Sequence, residues 1–241
     1  MTNANAVSEV LASSLDDPSF YLNGQAMVSL QLAELDYVES VLGAQPIRRV
    51  LLPPRPEAVD PGIEPRVVAS LSEGGLIDDG GVLSGWFASI LKLAAAPKLW
   101  FMVERWAEDV IYRWLYAVDT SAFIEQVETE ENVTFLAGGA EQLLGRILLN
   151  AGLMRFVDEP SLSAADPLSG SESWQTLVTK VSIEDGGPRK DVVRFECGNG
   201  RLTIEDQLDP DRQWAPANPR RVAEFLVELL GGTPGNDVPT D

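Results

Sequence analysis

The spacing of apolar positions changes period several times along the chain, and each change marks an element. Ala26-Met27-Val28-Ser29-Leu30-Gln31-Leu32 alternates, the pattern of a strand with one covered face. From Ala33 to Leu42 the spacing turns helical, with Leu35, Val38, Val41 and Leu42 on one side and Gly43 at the C-terminal cap. Pro46 to Pro56 reads as an extended, proline-rich linker. Glu64 to Ser72 predicts a helix stopped by Gly74-Gly75, and Asp78-Asp79-Gly80-Gly81 a turn. Val82 to Ala94 predicts a strong helix, its stripe made of Leu83, Trp86, Phe87, Ile90, Leu91 and Ala94 and its end set by Pro97.

Strands follow at Lys98 to Trp106 and Asp109 to Asp119, both rich in aromatic and branched residues. Shorter ones at Ala122 to Val127 and Asn132 to Leu136 flank an acidic turn. Ala140 to Ala151 predicts a helix with Leu144, Ile147, Leu148 and Ala151 on one face and Gly152 as its cap. A Ser-, Pro- and Gly-rich connection covers residues 157–172. Gln175 to Glu184 alternates again, and Asp191 to Cys197 turns through Gly198-Asn199-Gly200 into Arg201 to Asp206. Trp214-Ala215-Pro216 leads into a last helix capped by Asn218, with Pro219 in its first turn. Its stripe is Val222, Phe225, Leu226 and Leu229, and Gly231-Gly232 ends it.

The chain therefore finishes twice in the same way, with strands, a hairpin and an amphipathic helix closed by Gly. Placing Leu144 on Val222 aligns Ile147 with Phe225, Leu148 with Leu226 and Ala151 with Leu229. The expected fold is α+β, with two quasi-symmetric halves, each an antiparallel sheet with packed helices. The halves span residues 25–157 and 158–232, between an N-terminal helix or tail over 1–24 and a disordered tail over 233–241.

Composition narrows the chemistry. Apolar residues make up 45% of the chain, enough for a core, and no run of about 18 of them suggests a membrane span. The first residues lack a basic stretch, so no secretory signal is expected. A formal charge of −19 argues against nucleic acid and anionic lipid, which require clustered Lys or Arg. Histidine is absent and Cys197 is the one cysteine. Ser-His-Asp and Cys-His catalysis and Cys/His zinc sites are thereby excluded, and a lone thiol suits a reducing cytoplasm. Acidic pairs occur at Asp78-Asp79, Glu104/Glu108, Glu128/Glu130/Glu131 and Asp209/Asp211, but 37 acidic residues produce such pairs by chance. No EF-hand or P-loop spacing appears, so no metal or cofactor is expected.

Two long strands carry a candidate partner surface. By period two, Trp100, Met102, Glu104 and Trp106 share one side of the first, and Tyr112, Trp114 and Tyr116 one side of the second. Aromatic and Met side chains provide large contact areas at interfaces. Trp100, Met102, Trp106, Tyr112, Trp114 and Tyr116 are thus candidates for docking a helical partner, or for packing under the helices at 82–94 or 218–230.

Several segments resemble the EspG family, the cytosolic chaperones of actinobacterial type VII (ESX) secretion. They are Val28 to Asp36, Leu71 to Asp78, the turn Leu93-Ala94-Ala95-Ala96-Pro97, and the closing Trp214 to Val222. The resemblance implies a non-enzymatic cytoplasmic protein that binds a helical PE–PPE pair, covers its aggregation-prone tip and delivers it for export. It implies two quasi-symmetric halves and a closing strand before the last helix, and it carries no catalytic set. The turn at Ala107-Glu108 is tight where some members have a long partner-contacting loop. The alternatives are a self-associating module, such as a homodimer, and a carboxylate enzyme using Mg²⁺.

Overall fold

The alternating segments form one antiparallel sheet. The computed structural model describes residues 26–54, 62, 64–107, 109–153, 173–184, 187–199, 201–205 and 214–231. The expected tails over 1–24 and 233–241 and the connection over 157–172 lie outside them. In chain order the elements are β1 (Ala26–Gln31), α1 (Leu32–Ser40), α2 (Glu64–Glu73), α3 (Gly85–Ala95), β2 (Leu99–Ala107), β3 (Val110–Val118), β4 (Ala122–Glu128) and β5 (Asn132–Gly139). A 3-10 turn, Ala140–Gln142, opens α4 (Leu143–Asn150). Then come β6 (Trp174–Glu184), β7 (Gly187–Gly198), β8 (Arg201–Glu205), β9 (Trp214–Ala217) and α5 (Pro219–Leu230).

The strand order is β1-β5-β4-β3-β2-β6-β7-β8-β9, every neighbour antiparallel. At the centre β2 pairs with β6, Val103 opposite Val178, and both side chains are fully buried. Two layers of helix follow from the two apolar faces. On the first face Phe101, Val103, Tyr116, Val178, Phe195 and Leu202 pack against α4 and α5. On the second, Val28, Leu30, Ile124, Val133 and Phe135 pack against Leu35, Val38, Leu71, Phe87 and Leu91 from α1, α2 and α3. Each fully buried Phe or Leu contributes roughly 1.5–3 kcal/mol against the cost of ordering the chain.

Helix ends obey local chemistry. Asn218 Oδ1 accepts from the Arg221 amide at 2.7 Å, Pro219 stands in the first turn, and Gly231 closes α5 at φ 92°. Several boundaries differ from the periodicity. The third helix begins at Gly85 rather than Val82, because Leu83 forms a bridge with Ile77 that closes the turn at Asp78 to Gly81. Val82 and Trp86 are exposed instead of joining the stripe. Strand β5 runs through Gly138, where any Cβ would meet the Phe123 ring at 2.7 Å, so the strand continues only because a side chain is missing. Strand β9 is the one the resemblance implied. Pro216, which has no N–H, sits on a strand that, among the described residues, pairs on one side only, with β8. The buried positions of α5 are Pro219, Val222, Ala223, Leu226 and Val227, with Phe225 and Leu229 at the margin.

Candidate functional site

Cross-strand partners share a face of the sheet, so register decides how the six candidate residues are grouped. Trp100 lies opposite Ala117, Met102 opposite Leu115 and Trp106 opposite Ile111. Tyr112 lies opposite Arg105, Trp114 opposite Val103 and Tyr116 opposite Phe101. Each trio shares one side of its strand, but the two trios occupy opposite faces. Trp100, Met102 and Trp106 stand on the face of α3, Tyr112, Trp114 and Tyr116 on the face of α4.

Tyr116 is core. It is fully buried beneath α4, its hydroxyl accepting from Asn150 Nδ2 and donating to the Arg146 carbonyl at 3.4 Å. Burial first, and then the Glu125 carboxylate, push its phenol well above the ordinary 10.0. A raised folded pKa means that this contribution is complete below pH 10.0 and is lost as pH rises above it. Stability should therefore fall in alkaline solution above about pH 10, and Tyr116→Phe should flatten that fall in pH-dependent urea melts.

Trp114 is half-buried against the same core. It stacks on Tyr112 with centroids 5.9 Å apart and planes at 14°, while the Arg105 guanidinium lies 5.6 Å from its ring and 5.3 Å from that of Tyr112. Tyr112 itself is exposed near the β2–β3 turn, together with Val110 and Ile111. On the other face Trp106 is half-buried across from Ile111, and the Glu104–Arg113 pair, 2.7 Å long, separates it from Met102. Met102 lines a small hollow with Val50 and Leu51. Trp100 lies under the Arg48 guanidinium, 4.2 Å from its ring centroid, at the edge of a larger cavity.

Arg48, Val50 and Leu51 belong to a strap, residues 44–54, held across the second face by side chains that periodicity did not single out. Glu128, buried at the end of β4, accepts from the amides of Val50 at 2.8 Å, Leu51 at 2.5 Å and Leu52 at 2.9 Å. Gln126 Nε2 donates to the Arg48 carbonyl and to Glu128. Arg49 donates to Asp36 at 2.7 Å and Glu39 at 2.6 Å. Burial alone would lower the Arg49 pKa, but these two partners outweigh it and raise it. The available signal was in β4, where Gln126 and Glu128 alternate with Ile124 on a core-facing side. Inward polar groups require backbone partners.

Three of the acidic residues in these pairs have structural uses. Asp78 accepts from the amides of Gly80 and Val82, Glu104 pairs with Arg113, and Glu128 holds the strap. Asp209 and Asp211, like Glu108, lie outside the described residues. Among the described residues no three acidic, Cys or His side chains converge to hold a metal ion, and Cys197 is buried. Among them, too, no helix is long and apolar enough to cross a membrane.

The fold is similar to that of a secretion chaperone. The solved structure is the type VII secretion system chaperone EspG5 of Mycobacterium tuberculosis, in complex with the PE25-PPE41 dimer. The TM-score is 0.53 at 13% identity, over 85% of this chain and 95% of the chaperone. No family model matches the chain, and no curated protein does. The likeness to EspG5 is one of fold: a large antiparallel sheet with helices packed on it.

Proposed function

We propose that this protein is a non-enzymatic chaperone that holds a helical PE–PPE-like pair in the cytosol and keeps it soluble for export by a type VII (ESX) system. The observation that carries this reading is the likeness of fold to EspG5, a chaperone captured with a PE–PPE dimer, over nearly the whole of both chains. The docking surface we assign is the β2–β3 hairpin end. Trp106 and Ile111 stand side by side there, and Met102 continues the band towards Val50 and Leu51. Tyr112 and Val110 extend it around the tip. Trp114 and Tyr116 support the fold beneath it.

Co-expression with a PE–PPE pair from the same genome tests the reading. The tagged protein should retain the pair at near-stoichiometric yield through size exclusion. Trp106→Ser with Ile111→Ser should weaken capture by about 30-fold, the loss of one interface anchor of about 2 kcal/mol, with the melting temperature little changed. Recovery of the chaperone alone, as monomer or homodimer, would remove the proposal.

We also infer that the two halves are quasi-symmetric. Outward from the centre the strands run β2-β3-β4-β5 on one side and β6-β7-β8-β9 on the other, and each run ends in a helix on the first face. The fitting alignment is one residue from that suggested by periodicity. It pairs Leu143, Leu144, Ile147 and Leu148 with Val222, Ala223, Leu226 and Val227, all buried, and Gly152 with Gly231, both at positive φ. The Val103–Val178 pair then lies on the axis. If so, residues 158–232 expressed alone should dimerise through β6, with Val178 meeting its own copy. A fragment that folds as a monomer would count against the symmetry.

A further inference from the structure

A protein of net charge −19 offers its cations many partners, so a cluster left without them is informative. Arg48, Lys92 and Lys98 are all exposed, and among the described residues none lies within ion-pairing distance of a carboxylate. Of the three, Arg48 lines the cavity beside Trp100. Lys98 follows the lining residue Pro97, and Lys92 lies one helical turn before Ala95 and Ala96, which also line it.

Most of the residues that line the cavity are apolar. It measures about 330 Å³ and opens to solvent between the strap, the C-terminal end of α3 and the β2–β3 strands. Its walls are Ile47, Ala95, Ala96, Pro97 and Leu115, with the Trp100 ring beside them. Arg48 spreads its guanidinium over that ring, which holds the group in place and leaves its N–H edge without a hydrogen-bonded partner among the described residues. An apolar hollow wants an apolar occupant, and the fixed cation beside it wants a carboxylate.

We propose that this cavity is an anchor site for an acidic polypeptide partner, taking one Leu- to Phe-sized side chain while neighbouring carboxylates pair with Arg48 and Lys98. The assignment does not depend on the partner being a PE–PPE pair. Arg48 supplies planar, bidentate recognition and Trp100 the apolar floor beside it. Lys98 adds a second, looser charge.

The test is an amide and indole NMR titration of the full chain with the blocked peptide Asp-Glu-Phe-Asp-Glu. Resonances of Ile47, Ala95, Ala96 and the Trp100 indole should shift together, saturably. Arg48→Glu, at an exposed position, should weaken binding by about tenfold or more. Ala96→Trp, also at an exposed position, should fill the cavity and abolish the shifts. Absence of shifts at millimolar peptide would overturn the proposal. So would equal binding of Asp-Glu-Gly-Asp-Glu, which lacks the anchor, or of Lys-Lys-Phe-Lys-Lys, which reverses the charge. Unchanged binding by Ala96→Trp would place the peptide elsewhere and overturn it as well. Co-expression with the PE–PPE pair reports separately on the chaperone reading.

Discussion

Glu125→Ala should cost about 3–5 kcal/mol, measured as a lower urea midpoint at unchanged slope. Glu125 projects from β4 beneath α4, and Arg146 embraces it with two donors, Nε at 2.9 Å and Nη2 at 2.6 Å. Only 3% of the carboxylate side chain and 14% of the guanidinium side chain reach solvent. Burial alone would lower the Arg146 pKa, but Glu125 outweighs it and raises it. A guanidinium is too basic to lose its proton near neutral pH, so it keeps its charge when its partner is removed. What remains is a cation under a helix with no counter-charge, and that is far dearer than the bond itself. The double variant Glu125→Leu with Arg146→Met should recover most of the loss, since neither charge is then buried. A single-variant cost below about 1 kcal/mol would mean that water reaches the pair, as at surface bridges.

Charge pairs of this kind were invisible to periodicity, whereas the elements carrying them were not. Alternation located the strands because a half-covered sheet demands period two, and local chemistry set the ends at Asn218, Pro219 and Gly231. What alternation cannot supply is the pairing of one strand with another. Trp100 and Trp114 each fall on the expected side of their own strand, yet Trp100 meets Ala117 and Trp114 meets Val103. That register places the two tryptophans on opposite faces of the sheet. A shift of one residue would have gathered all six aromatic and Met candidates into a single patch. Register follows from the turn between the strands and from both core faces together, so it emerges only in the assembled sheet.

The strap shows the second limit. Pro46 to Pro56 was legible as extended chain but not as chain with a destination. Its amides are satisfied by a carboxylate some 78 positions later, at Glu128. Long-range side-chain-to-backbone bonds leave no periodic trace, and their one local sign was a pair of polar residues on the inward side of β4.

That carboxylate leads to the second large effect. Glu128→Ala should cost roughly 2–3 kcal/mol, because it removes charged acceptors from three successive amides at once. Val50 and Leu51 are exposed enough for water to replace part of the loss, but Leu52 is buried and its N–H would be orphaned. Gln126 would lose one of its two acceptors as well. Upstream the strap keeps the Arg49 pairing with Asp36 and Glu39, the Ile47 amide on Glu39 and the Arg48 carbonyl on Gln126, so the chain should loosen from Val50 onward. Hydrogen exchange gives the decisive readout: the Leu51 and Leu52 amides should lose protection while Phe101 and Tyr116 in the central strands keep theirs. Uniform loss of protection would mean that the strap and sheet unfold as one unit. Selective loss would show a strap that yields independently. Ile47 and Arg48, which wall the cavity beside Trp100, lie before the loosened stretch and keep their own hydrogen bonds, so Glu128→Ala should leave binding of the acidic peptide nearly unchanged.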